Sequence, residues 1–365
     1  MKFSAPRETI LKPLQAIIGV VERRQTMAIL SHVLLRIADG KLAITATDLE
    51  VELVAEAEVD TKAPGEITVP GRKLHDICRA LPDGCKVEVS VSGDRLTLKA
   101  GRSRFTLSTL QAGDFPTVDE IAGEQTLEIS QTELRWLIEK TQFSMAQQDV
   151  RYYLNGLLLE TEGKQLRAVA TDGHRLALAE VELESKAARD GQVILPRKGV
   201  LELNRLLDGD GKLALMLGSN HIRVDLDSVR LTSKLIDGRF PDYERVIPSK
   251  ATNVIKADRE LLRQALQRTG ILSNEKYRGV RLELSAGTAT ISANNPDQEE
   301  ATETVELDYQ GERMEIGFNV NYLLDALAAV GGEEVELHVT DGNSSCLIVA
   351  PGSDRVKYVV MPMRL

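Results

Sequence analysis

The sequence predicts an α+β protein: three copies of one domain of about 120 residues, each with two helices packed on antiparallel sheet. Three observations carry that reading. Landmarks recur in the same order at one period. Stretches with apolar residues three and four apart alternate with stretches of strict apolar–polar alternation, and turn residues separate the latter.

The first landmark closes a strand-like run in VLLRIADGKLAITATD (33–48), LLLETEGKQLRAVATD (157–172) and VRLELSAGTATISANN (280–295), so that Asp48, Asp172 and Asn295 lie 124 and 123 residues apart. The second is a β-rich run leading straight into a helical pattern: GEITVPGRKLHDICRAL, GQVILPRKGVLELNRLL and MEIGFNVNYLLDALAAV, with junctions at Pro70, Pro196 and Asn319. The third closes each copy in RSRFTLSTLQAGDFP, SVRLTSKLIDGRFP and DRVKYVVMP, with Pro116, Pro241 and Pro362 spaced 125 and 121 residues. Domain boundaries are therefore expected at 1–120, 121–245 and 246–365.

Each copy reads as helix, strands, helix, strands. The first helix shows Leu11, Leu14 and Ile18 in copy one, Leu134, Leu137 and Ile138 in copy two, and Leu262, Ala265, Leu266 and Thr269 in copy three. Pro13 should kink the first of these, and Ser130 with Glu133 forms a capping-box pattern for the second. The second helix carries Leu74, Ile77, Cys78 and Leu81, then Val200, Leu203 and Leu207, then Val320, Leu323, Leu324 and Leu327. Such one-sided stripes place each helix on a sheet with its other face free. Alternating runs such as KVEVSVSGDRLTLKAGRSRFTLSTL and HIRVDLDSVRLTSKL give antiparallel hairpins, turning at Ser92-Gly93-Asp94 and Gly218-Ser219-Asn220.

With 42% hydrophobic and 27% charged residues the chain is too apolar for disorder, and with only 4% aromatic residues its core must come mainly from Leu, Val, Ile and Ala. No run of 18 apolar residues occurs, and Arg7, Glu8 and Lys12 interrupt the N-terminal stretch where a secretory signal would be apolar, so a soluble, cytoplasmic protein is expected. Cys78, Cys85 and Cys346 show no CxxC spacing; neither a disulfide framework nor a zinc site is indicated, and reduced thiols are the simplest reading.

Catalysis finds little support. Thr171-Asp172-Gly173-His174 puts an acid two residues from a histidine, yet there is no GxSxG, HExxH, GxxxxGK[ST] or dinucleotide GxGxxG pattern. Turn formation and ligand contact are the better use of His174. ANNPDQEEATE lacks the glycine and ligand alternation of a calcium loop, so neither a metal nor any other cofactor is expected.

The net charge of −10 argues at first sight against a polyanionic partner. It is unevenly spread: the three copies carry −1, −3 and −6. The free helix faces offer Lys12, Arg72, Lys73 and Arg79, then Arg135, Lys140, Arg197, Lys198 and Arg205, then Arg259, Arg263 and Arg268. Charged helix faces often do no more than meet water, but recurrence at equivalent places favours one shared basic surface. A basic strand around Arg95, Arg102 and Arg104 in copy one and an acidic one around Asp297, Glu299, Glu300 and Glu303 in copy three invite head-to-tail association of two chains into a ring.

The strings TDLE, RSRFTLSTL, FSMAQQDVRYYLNG, ATDGHRLA, DGRFPDY, ILSNEK, ANNPDQEEA and YVVMPMRL run the length of the chain, which through them closely resembles the bacterial sliding clamps, the β subunits of DNA polymerase III. The resemblance implies three repeated DNA-clamp domains in a head-to-tail homodimeric ring, with helices lining the hole and sheets outside. It implies a non-catalytic processivity factor that encircles double-stranded DNA without reading sequence. Its partners would be the polymerase III α subunit, the clamp loader complex, and other polymerases and repair proteins with clamp-binding motifs; no membrane is involved, and the protein would associate with the nucleoid.

Residues are implied for three surfaces. DNA contact falls to Arg24, Arg72, Gln148, Tyr152 and Tyr153, with Arg197 and Lys198 as added phosphate contacts; for the two tyrosines, packing is the competing role. A pocket for short apolar peptides would use Leu154, Thr171, Gly173, His174, Arg175, Leu176, Pro241, Arg245 and Val246 with Val359, Met361, Pro362, Met363 and Arg364. Adaptable Met beside Leu, Val and Pro suits a groove that serves many ligands. The dimer interface would set Phe105 and Leu107 against Ile271 and Leu272, with Lys73, Arg95, Arg102 and Arg104 opposite Asp297, Glu299, Glu300 and Glu303. A repeat-built scaffold that binds proteins but not DNA is the alternative; it differs only in how the helix faces are used.

Overall fold

Six times among the described residues a strand passes into a helix with no intervening loop, and Pro or a capping side chain stands at several of these joints. Pro6 and Pro70, each with φ of −56°, end their strands with the dihedral a helix needs next. At the corresponding places in the third repeat, the Asp258 carboxylate accepts from the Leu261 N–H and the Asn319 side chain from the Asn321 and Tyr322 N–H groups. The computed structural model describes residues 1–22, 27–118, 123–249 and 251–364, without the side chains of residues 123 and 124.

The first repeat comprises β1 (Lys2–Pro6), α1 (Arg7–Ile17), β2 (His32–Ala38), β3 (Lys41–Thr47), β4 (Val51–Glu58), β5 (Asp60–Ala63), β6 (Gly65–Pro70), α2 (Gly71–Ala80), β7 (Lys86–Ser92), β8 (Arg95–Ala100) and β9 (Ser103–Ser108). The second continues with β10 (Gly123–Ser130), α3 (Gln131–Thr141), β11 (Gly156–Glu162), β12 (Gln165–Thr171), β13 (Arg175–Glu182), β14 (Gly191–Pro196), α4 (Arg197–Leu206), β15 (Lys212–Gly218), β16 (His221–Leu226) and β17 (Val229–Lys234). The third holds β18 (Asn253–Asp258), α5 (Arg259–Thr269), β19 (Gly279–Ser285), β20 (Thr288–Asn294), β21 (Glu300–Glu306), β22 (Met314–Asn319), α6 (Val320–Val330), β23 (Glu334–Val339), β24 (Cys346–Val349) and β25 (Val356–Val360).

Sheets run across the repeat junctions. β17 at the end of the second repeat pairs antiparallel with β4 of the first, and β25 of the third pairs with β13 of the second. The chain accordingly forms two compact units, 1–132 with 198–235 and 133–197 with 236–365, which divide the middle repeat between them. The first unit holds an eight-stranded sheet, β10-β15-β16-β17-β4-β3-β2-β6, and a five-stranded one, β5-β1-β7-β8-β9. The second holds an eight-stranded sheet, β14-β11-β12-β13-β25-β24-β23-β18, and a four-stranded one, β21-β20-β19-β22.

The expected helix stripes are buried, with small shifts. In α1 the buried face is Ile10, Leu11, Pro13, Leu14 and Ile17, with Ile18 only half-buried, and the helix continues through Pro13 for another turn. Ile77 is likewise half-buried while Leu74 and Cys78 are fully covered. Burial pushes the Cys78 and Cys346 thiols up to about 12, which keeps both protonated and inert.

The recurring acid at 48 and 172, and Asn295 in copy three, have a common physical cause. Asp48 Oδ1 accepts the N–H groups of Glu50 and Val51, Asp172 Oδ1 those of His174 and Arg175, and Asn295 Oδ1 those of Asp297 and Glu299. Each turns the chain between two strands by satisfying backbone donors that the ladder has released. The first helices are tied down alike: the N–H groups of Arg7, Gln131 and Arg259 donate to the carbonyls of Cys85, Gly211 and Glu333 at 2.9, 2.8 and 2.9 Å.

Candidate peptide pocket and DNA-facing residues

Adjacent strands of the second unit build an apolar floor. Leu176 on β13 faces Val359 on β25, and Val359 faces Leu347 on β24. They share one buried cluster with Leu154, Leu158, Val169, Leu178, Phe240 and Tyr243, against which Tyr153, Val246 and Ile247 pack. The Tyr243 hydroxyl donates to the Glu160 carboxylate, fastening the segment that carries Pro241, Arg245 and Val246; burial and that carboxylate push the phenol up. Phe240, Tyr243 and Leu347 were missed in the sequence. For Phe240 the available signal was Phe115 and Phe240 standing at the same place before Pro116 and Pro241.

The rim is the turn between β12 and β13. Besides the two N–H groups held by Asp172, Thr171 Oγ1 accepts from the Gly173 N–H at 3.1 Å and donates to the Arg175 carbonyl at 2.6 Å. Gly173 has φ of +87°, a left-handed conformation that favours glycine, and a Cβ there would stand 2.9 Å from the tip of the Arg151 side chain, which would have to move aside. Of the C-terminal residues, Met361 is anchored on this rim, its N–H donating to the His174 carbonyl at 2.9 Å, whereas the Met363 N–H donates to the Gly317 carbonyl on β22 at 2.8 Å, and Met363 and Arg364 line a different cavity beside Asn274, Tyr277 and Pro296. Met361, Pro362 and Met363 are half-exposed, and His174, Pro241, Arg245 and Arg364 are exposed. Leu154, Leu176, Val246 and Val359 thus meet beneath His174 and Met361.

Arg175 does not offer its charge to a ligand. Its Nε lies 3.1 Å from Asp172 Oδ2, Nη1 2.5 Å from Asp325 Oδ2, and Nη2 donates to the Phe143 carbonyl at 2.6 Å. The guanidinium also stacks on Tyr322, 4.6 Å from the ring centre. It is the post that holds the rim turn in place.

Of the residues expected to face DNA, Arg24 lies outside the described residues. Gln148, Tyr152 and Tyr153 belong to one loop that is built in advance. The Asp149 carboxylate accepts from Arg151 through both its side chain and its N–H, which holds the acid down at about 2. Asn155 closes the loop by exchanging hydrogen bonds of 2.9 Å with the Asp149 backbone. Gln148 sits exposed with φ of +56°, and Tyr152 is 56% exposed, edge-on to the half-buried Tyr153.

The helix bases differ from the expected free basic faces. Arg7 donates to the Cys78 and Arg79 carbonyls at the end of α2, Arg259 to the Leu327 and Gly332 carbonyls around the end of α6, and Arg205 to the Gln15 and Ala16 carbonyls near the end of α1. Arg72 donates to the Val21 carbonyl and Lys140 to that of Ala329. Lys198 lies between Glu22 and Asp48, Arg197 is half-buried beside the Met145 carbonyl, and Arg263 and Arg268 pair with Glu260 and Glu303. The cause is general: the last carbonyls of a helix have no partner in the helix and carry partial negative charge, so they draw the nearest guanidinium. Lys12 and Lys73 keep exposed side chains.

The residues expected at a dimer interface lie on two sheet edges. β9 is the last strand of its sheet, with Phe105 half-buried, Leu107 buried, and Arg102 and Arg104 exposed; Arg95 on neighbouring β8 is exposed as well. β21 is the edge of the four-stranded sheet, with Glu300 exposed and Glu303 engaged by Arg268; Asp297 and Glu299 are exposed just before it. Ile271 is 72% exposed and Leu272 half-buried.

A threefold repeat whose sheets continue from one copy to the next, bearing an apolar groove closed by its own C-terminal residues, defines a clamp-type repeat protein. Family models for the DNA polymerase III β subunit match in tandem, the N-terminal domain over residues 1–119, the central domain over 128–242 and the C-terminal domain over 244–364. The chain belongs to this family, the β sliding clamps, whose members are non-catalytic processivity factors. It is 55% identical to the β sliding clamp of Pseudomonas putida and 52% to that of Escherichia coli K12, each alignment covering 100% of both chains. Among solved structures it is similar to a Pseudomonas aeruginosa clamp bound to griselimycin, at 55% identity and TM-score 0.96, and to the Caulobacter crescentus polymerase III β subunit, at 42% and 0.96, both covering 100% of each chain.

Replacing Arg175 with Ala leaves Asp172 Oδ2, Asp325 and the Phe143 carbonyl without the guanidinium and should cost about 3 kcal/mol. Arg175→Lys should recover less than half of it, because an ammonium cannot serve three acceptors in the plane of a guanidinium. Denaturant melts check this; a wild-type midpoint for Arg175→Lys would contradict it.

Proposed function

We propose that two copies of this chain close head to tail into a ring of six repeats, that the ring encircles double-stranded DNA, and that it tethers a replicative polymerase through the pocket over Leu176 and Val359. The single observation that supports ring closure best is the pair of open edges. Inside the chain the same kind of strand pairs twice: Leu231 on β17 faces Leu53 on β4, and Tyr358 on β25 faces Ala177 on β13. Hairpin and ladder positions make Phe105 the counterpart of Leu231 and Tyr358, and Ala301 that of Leu53 and Ala177. Setting β9 of one copy on β21 of the next in that register puts Phe105 opposite Ala301 and Arg104 opposite Thr302, one diagonal step from Glu300. It also covers two of the strand edges that end sheets within the chain.

Sliding requires attraction to phosphates without base readout, which Arg24, Arg72, Gln148, Tyr152, Tyr153, Arg197 and Lys198 would supply, with domain borders at 1–120, 121–245 and 246–365. Tethering makes each rebinding of polymerase intramolecular at high effective concentration. The α subunit of polymerase III, the clamp loader complex and other polymerases and repair proteins would share the one groove, in the cytoplasm and at the nucleoid.

Protein loaded by a clamp loader on a nicked circular plasmid should leave when the plasmid is linearised and stay when both ends are blocked; retention on open linear DNA would refute encirclement. A protein-binding scaffold would not load at all. Phe105→Arg with Ile271→Arg should weaken dimerisation by about 100-fold, read by sedimentation equilibrium, and an unchanged dimer would show the edges to be misassigned. Deleting Met361–Leu365 should abolish binding of a short apolar peptide in calorimetry, and retained affinity would refute the pocket.

A further inference from the structure

The two units share one sheet plan, and one row of it differs sharply in character. In the second unit the row runs Thr171 on β12, Leu176 on β13, Val359 on β25 and Leu347 on β24, each facing the next. In the first unit the corresponding row runs Thr47 on β3, Glu52 on β4, Thr232 on β17 and Arg223 on β16, again each facing the next. The shared turns at Asp172 and Asp48 set the two rows in register.

Around the row, the first unit keeps the pocket's architecture. Leu30, Leu34 and Phe115 stand where Leu154, Leu158 and Phe240 stand in the other unit and still pack together. Among the described residues the apolar cluster, twelve buried residues in the second unit, is here Ile29, Leu30, Leu34 and Phe115. Leu49 occupies the place of Gly173 with φ of +77°, and Lys234, the last residue of β17, stands at the place that Met361 takes just after β25.

We propose that the Glu52–Thr232–Arg223 row is a specificity device that denies this second copy of the groove to apolar peptides. This rests on the reading of the Leu176–Val359 groove as the peptide pocket. Glu52 is 7% exposed, its Oε2 accepts the Val118 N–H at 2.9 Å, and burial pushes its carboxyl up. Thr232 is 1% exposed and its hydroxyl is buried without a hydrogen-bond partner, as is Arg223 Nε. A leucine or phenylalanine laid on this row would finish the desolvation of a carboxylate and a guanidinium and give them nothing in return. On Leu176, Val359 and Leu347 the same side chain meets only hydrocarbon. Discrimination of this kind comes from an unfavourable element at the wrong site as much as from a good fit at the right one.

The test counts sites on the full-length protein with a short peptide anchored by Leu and Phe. Wild type should bind one peptide per chain in calorimetry. The variant E52L/T232V/R223L should bind two, and deletion of Met361–Leu365 in that background should leave one, crosslinking within residues 27–118 or 198–235. A folded variant that still binds one overturns the proposal, as does a wild type that binds two. A wild type that binds none overturns the pocket reading instead. Should the triple variant fail to fold, E52L/T232V, isosteric at position 232, is read by the same count: two sites support the proposal and one overturns it.

Discussion

An open strand edge is the constraint around which this molecule is organised. A row of unpaired N–H and C=O groups must be covered, and inside the chain it is covered twice by the neighbouring repeat, β17 against β4 and β25 against β13. Those ladders make the repeats one continuous structure and explain why the compact units cut through the middle repeat. They also leave β9 and β21 as the ends of their sheets. Ring closure repeats between molecules the bond that the chain already makes twice within itself.

The groove depends on the same ladders. Leu176 and Val359 come from different repeats and meet because β25 pairs with β13. The rim turn is held by Asp172, Thr171 and Arg175, and Met361 bonds to it through the His174 carbonyl. In the first unit the same turn and ladder carry Glu52 and Thr232, and Asp48 there spends its second oxygen on Lys198. One backbone plan thus supports an apolar floor in one place and a charged, closed one in the other, and side-chain identity alone makes the difference.

Much of this was legible in the residues. The period, the strand-to-helix junctions and the two charged edge strands were readable because backbone turns and amphipathic faces depend on local sequence. Charged helix faces were not. Arg205 and Arg259 read as solvent-facing bases, whereas each reaches the terminal carbonyls of another helix. Arg175 read as a ligand contact and proved a post between two carboxylates. A long cation's partner is set by which carbonyl or acid the fold brings within its reach, and that is a long-range fact: Arg175 and Asp325 are 150 residues apart.

The sequence by itself determined that one domain is written three times, that apolar stripes cover sheets, and that acid accumulates toward the C-terminus while the total stays at −10. These follow from spacing and composition, which need no contact map. Only the tertiary structure decided which bases remain available to a polyanion, which edges stay open, and why equivalent rows in two units differ in what they admit. Each of those depends on groups far apart in the chain meeting across a ladder or a helix end, where hydrogen bonding and burial settle what a side chain is free to do.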